Sequence, residues 1–214
     1  MMNDNNSLNL EDQMKQVDLF MQRKDYVTAI ALLDTLICKI ESNELQNQEI
    51  RINALLTRSK ALINNSSGPI YKSSANDRLD VLKVEKDANL NRAISDCTQV
   101  LMLVPNNAVA YCHRADAYYH KGRVDRALSD YSWAIDVEPT CITAYMKRGR
   151  YYLRNYPSYG DHYYVQAKSD FEKILTLSSN NEDVQVLLEE LESKKIAKEK
   201  RKEEAERDKI GRPW

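Results

Sequence analysis

The sequence predicts an all-α fold of stacked helical hairpins, and three observations predict it. Only five Gly and five Pro occur in 214 residues. So few chain breakers argue against a sandwich or barrel, which needs a tight turn at every strand end. The chain also repeats itself with one stride. Tyr111, Arg114, Ala115 and Tyr118 recur 34 positions on as Tyr145, Arg148, Gly149 and Tyr152. Ala93, Asp96, Val100 and Pro105 recur 34 positions on as Ala127, Asp130, Ala134 and Pro139. Within each copy, finally, the apolar residues fall three or four apart, the period of a helix.

Each element follows in chain order. Residues 1–9 are polar and slightly acidic, unlike a signal peptide, and read as a flexible N-terminus. The first copy (10–45) is the weakest, with Val17 and Phe20 on one helix and Ala29, Leu33 and Leu36 on the next. The second (52–105) places Leu55, Ser59 and Leu62 on a helix at about 51–64, and Ala93, Cys97 and Val100 on its partner. Between them lies a polar Gly/Pro/Ser loop (64–78), then a stretch that extends the second helix backwards, with Asn76 or Asp77 as its N-cap. The third copy (108–139) is the most regular: Tyr111, Ala115, Tyr118, Gly122, Ala127, Tyr131, Ala134 and Pro139. The fourth (142–179) carries Tyr145, Gly149 and Tyr152, then Ala167, Phe171 and Ile174, with six residues inserted between its helices.

Steric complementarity explains the pattern. Two antiparallel helices approach closely only where small residues meet large ones. Ala115 or Gly149 leaves room for Tyr131 or Phe171, and Ala127 admits Tyr118. Pro139 ends its helix because it lacks an amide proton and restricts the residue before it. Residues 180–209 begin with an apolar stripe, Val184, Leu187, Leu188 and Leu191, and then become almost wholly charged. That segment reads as a cap on the last hairpin that extends into solvent, with Glu190–Lys194 and Glu203–Arg207 spaced to pair. Residues 210–214 form a tail in which Trp214 could dock on a partner or stay disordered.

Over roughly residues 10–190 the chain resembles the tetratricopeptide repeat (TPR) family. That resemblance implies a right-handed superhelix of about four hairpins, with first helices lining a concave groove and second helices forming the back. By that alignment the groove positions are Glu11, Met14, Lys15, Asp18, Met21 and Gln22 in the first copy. They are Asn53, Leu56, Thr57, Lys60, Ile63 and Asn64 in the second. The third supplies Val109, Cys112, His113, Asp116, Tyr119 and His120. The fourth supplies Thr143, Met146, Lys147, Arg150, Leu153 and Arg154. TPR co-chaperones hold a carboxylate terminus with a Lys/Asn/Arg clamp. Here those positions are Met14, Asp18, Thr57, Val109 and His113, so that clamp is absent.

Function is expected from binding rather than catalysis. His113, His120 and His162 sit in no metal or nucleophile motif. Cys112 and His113 are adjacent and diverge by about 100° on a helix, so they form no nucleophile–base pair. The four Cys have no C-x-x-C spacing and read as reduced and mostly buried, which suits a cytoplasmic setting, with association to cytoskeleton or cilium as one possibility. A formal charge of −1 offers no field for nucleic acid, and no apolar run is long enough to insert in a membrane. No cofactor or metal is implied. The expected groove is Lys60, His113, Asp116, Tyr119, His120, Lys147, Arg150 and Arg154, whose basic and aromatic end suits acidic or extended segments of other proteins. A second expected contact is the edge at 155–166, with Tyr156, Tyr159 and Tyr163, where interface and internal packing both fit the sequence. The partner relationship is either a fixed place in a larger assembly or reversible adaptor binding.

Overall fold

The computed structural model describes residues 4–42, 47–67 and 76–210. Among these residues there are nine helices and no strand. They are α1 (Asp4–Gln22), α2 (Tyr26–Ser42), α3 (Gln48–Ser66), α4 (Asn76–Leu103), α5 (Ala108–His120), α6 (Val124–Val137), α7 (Ile142–Asn155), α8 (Asp161–Leu177) and α9 (Glu182–Ile210). They fall into two compact units, residues 1–137 and 138–214. α9 packs on α7 and α8, within the second unit.

In the first unit the helices pair as α1/α2, α3/α4 and α5/α6. α1 begins at Asp4, inside the segment expected to be flexible. α4 starts at Asn76, which gives the expected overhang, while the loop at 68–75 lies outside the described residues. The core holds Val17, Ala29, Leu33, Leu36, Leu55, Leu62, Leu90, Ala93 and Val100, all closed to solvent. In the regular hairpin Ala115, Ala127 and Tyr131 form one cluster with Tyr118 packed on it, as the small-against-large argument requires. The α5–α6 turn closes on Gly122, whose φ of 71° is left-handed, with Arg123 N–H reaching the Tyr118 carbonyl at 2.8 Å. The α1–α2 turn repeats this geometry with Lys24 at φ 60° and Asp25 N–H on the Phe20 carbonyl at 2.9 Å.

In the second unit α7 and α8 meet where Gly149 touches Phe171. A Cβ on Gly149 would lie 2.8 Å from Phe171 Cε1. α9 covers this pair with Val184 and Leu191, both fully buried. It is also bound at its charged side. Lys194 Nζ donates to the Leu153 carbonyl at 3.2 Å, Lys198 Nζ to Asp161 Oδ1 at 2.5 Å, and Tyr164 donates to Glu192. The helix therefore leaves the hairpin only beyond Lys198, and 199–208 are exposed. Of the two pairs expected along it, Glu190–Lys194 forms at 2.9 Å. The tail with Trp214 lies outside the described residues.

One polar device recurs. Arg58 donates Nε and Nη2 to Asp96 at 2.9 and 2.7 Å. Arg114 does the same to Asp130 at 2.8 and 2.8 Å, and Arg148 to Asp170 at 3.0 and 2.7 Å. Each is a bidentate fork between the two helices of one hairpin. Burial raises the Asp96 and Asp170 carboxyls above their usual range, against the opposing pull of the guanidinium. The sequence separations are 38, 16 and 22. They differ by the lengths of the two insertions, so the fork survives both.

Candidate functional site

α1 and α3 enclose a cavity of about 600 Å³ in the first unit. α1 contributes Glu11, Met14, Lys15 and Asp18, spaced three, four and seven apart and so on one helical face. α3 contributes Glu49, Ile50, Asn53, Leu56 and Thr57, with Asn47 at its start. Met14, Ile50 and Leu56 are half-buried and pack on the core beneath. Glu11, Asp18 and Glu49 are exposed around them. Lys15 is turned to Asp12 at 3.0 Å, which raises its pKa through that hydrogen bond and charge. Seven of these lining residues stand at the groove positions that the alignment assigned.

The α5 positions form a second group. His113 is half-buried and its Nδ1 shares a hydrogen bond with Ser59 Oγ at 3.0 Å. His120 Nε2 meets Ser67 Oγ at 3.2 Å. Both histidines thus stitch α5 to α3, seven residues apart on one face. Asp116 accepts from the Tyr131 hydroxyl at 2.6 Å, and burial together with that carboxylate raises the Tyr131 pKa. Tyr119 is half-buried and edge-on to His120, with centroids 5.8 Å apart. Three of the positions that the repeat alignment assigned to the groove face the core instead. Cys112, Leu153 and Ile63 are 4%, 4% and 5% exposed and serve the core, because each helix turns that position inward. Lys60 is exposed on α3, one turn past Thr57.

On α7, Lys147, Arg150 and Arg154 are all exposed along one side, at steps of three and four residues. Next to them the tyrosines divide into two sets. Tyr163 sits at the centre of Tyr151, Tyr152, Tyr159 and His162, at centroid distances of 6.1, 5.2, 5.4 and 4.6 Å. Tyr159 is 60% exposed and stacks on Tyr163. Tyr156 departs from the expected edge: it is 2% exposed, packed on Tyr164 and under Lys198 Nζ at 5.3 Å. α9 covers it, a contact that 155–166 alone does not reveal.

The thiols differ from the expectation in one respect. All four are free; Cys97 and Cys112 are buried, Cys141 is partly buried, and Cys38 is exposed. Burial pushes the Cys97 thiol up to about 12. No helix of the described residues is long and apolar enough to cross a membrane.

No protein-family model matches the chain. A stretch of 109 residues, 49% of the chain, is 30% identical to human DnaJ homolog subfamily C member 7 and spans 21% of that protein. A crystal structure of a tetratricopeptide repeat protein from Parabacteroides merdae superposes on 87% of the chain and 60% of its own, with a TM-score of 0.57 and 20% identity. The chain has a tetratricopeptide-like fold. In TPR-like terms the recurring Arg–Asp fork ties the first helix of a hairpin to its second, and the cavity lies between the first helices of hairpins one and two. Arg114 recurs as Arg148 and Asp96 as Asp130 at the 34-residue stride, but a repeat match alone does not show that Arg and Asp pair across a hairpin.

Proposed function

We propose that this TPR-like chain is a non-enzymatic scaffold that binds segments of partner proteins. The single observation that carries the reading is the row of Lys147, Arg150 and Arg154 on one exposed side of a first helix. Such a row binds acidic or extended segments through charge-assisted hydrogen bonds. Tyr159 and Tyr163 add an aromatic edge beside it, and the exposed end of α9 adds a charged one. His113, Asp116, Tyr119 and His120 shape the α5 face, and Lys60 supplies a cation on α3. The chain acts as a fixed subunit of a larger cytoskeletal, ciliary or organellar assembly in the cytoplasm. Its insertions and charged helix support that reading, since such features make contacts particular to one partner.

A second reading is a reversible adaptor or a co-chaperone without the carboxylate clamp. The likeness to a DnaJ homolog over half of the chain favours it.

Affinity purification with cross-linking tests both. Cross-links are expected to map to 144–163, and Lys147→Glu with Arg150→Glu is expected to remove them. Unchanged capture by that variant would overturn the basic-row reading. Partners that exchange freely as salt is raised would decide for the adaptor.

A further inference from the structure

We propose that the groove between α1 and α3 binds a cationic, amphipathic segment of a partner protein, one with Lys or Arg on either side of a Leu-like residue. The inference rests on the scaffold reading above and adds the chemistry of the bound segment at a different face. It starts from an imbalance of charge. Glu11 and Asp18 are seven apart on α1 and so point the same way, and Glu49 faces them from α3. All three are exposed, and among the described residues none is held in an ion pair. Lys15 is the one cation in the lining, and it is bound to Asp12.

The floor has the opposite character. Met14, Ile50 and Leu56 are half-buried, backed by the core on one side and open to the cavity on the other. Apolar surface of this kind gains from an apolar occupant, and a Met thioether adapts to several side-chain shapes. An anionic segment reaching that floor would bring like charge against three carboxylates, which opposes binding. A cationic one meets complementary charge at the rim while its apolar residue descends. The volume, about 600 Å³, lies within the range of ligand-binding clefts.

The test uses the full chain and two dye-labelled peptides, threefold repeats of Lys-Leu-Lys-Ala and of Glu-Leu-Glu-Ala, read by fluorescence anisotropy. The Lys peptide is expected to bind, to weaken as salt rises, and to shift the Met14 methyl resonance. Asp18→Asn with Glu49→Gln is expected to weaken it about tenfold. These exposed, near-isosteric changes leave packing alone, which an unchanged melting curve verifies. Equal binding of both peptides, absence of Lys-peptide binding, or indifference to the D18N/E49Q pair would overturn the proposal. If partners still cross-link at α7 while the Lys peptide fails, the groove proposal alone falls. If both fail, the scaffold reading falls with it.

Discussion

Arg148 and Asp170 form a pair that is nearly closed to water, with the Asp side chain 2% exposed. Its geometry is good, yet burial raises the carboxyl despite the guanidinium. Desolvation therefore outweighs attraction at that oxygen, whereas the Asp170 hydrogen bond and charge still raise Arg148 against its own burial, so the two effects offset each other across the pair. Removing one partner is a different matter, because the survivor stays largely buried without its bidentate counter-charge. Asp170→Ala is expected to destabilise the chain by about 3 kcal/mol, while Arg148→Met with Asp170→Leu is expected to be neutral or stabilising. Urea midpoints of the three proteins decide it. A single variant as stable as the double would show that water reaches Arg148 after all.

Among the elements, the α7–α8 contact is the most sharply constrained. Ala for Gly inside an exposed helix normally gains about 1 kcal/mol. At Gly149 the new methyl would meet Phe171 Cε1 at 2.8 Å and Asp170 Cβ at 3.2 Å. Overpacking typically costs about 1–3 kcal/mol, so Gly149→Ala is expected to destabilise, and Phe171→Leu placed with it to recover part of the loss. A thermal melt showing that Gly149→Ala stabilises would remove the close-packing argument. This contact was legible in the sequence, because Gly149 keeps the 34-residue stride from Ala115 and Phe171 follows Tyr131 at 40 once the six inserted residues are allowed for. The hairpins of the third and fourth copies were readable for the same reason. The fate of Tyr156 was not, since its burial depends on α9 folding back, with Lys198 bound to Asp161 across 37 positions. Likewise the groove between α1 and α3 arises from side chains about 30 to 45 positions apart in the two most degenerate copies. The repeat alignment names Glu11 and Asp18 as groove positions but not Glu49, and only the packing of α1 beside α3 brings the three carboxylates together.

At the scale of the whole molecule, the chain divides at Val137 into two units with cores of their own. The second holds Tyr145, Leu153, Tyr156, Phe171, Ile174, Val184 and Leu191, supplied by three helices. In helical repeat proteins stability is a sum of local terms. A fragment of residues 138–214 is therefore expected to be helical by circular dichroism and to melt cooperatively, though at lower temperature than the full chain. A fragment with the spectrum of a coil would show that this core needs the first unit.

The Arg–Asp forks bear on how such a chain could come to vary. Each Arg takes its bidentate partner from its own hairpin, and the forks close equally well over 16, 22 or 38 positions. Length added at a hairpin tip therefore leaves this internal lock untouched. Tips of this kind are places where new binding loops can be grafted, by evolution or by design, without renegotiating the electrostatics of the body that carries them.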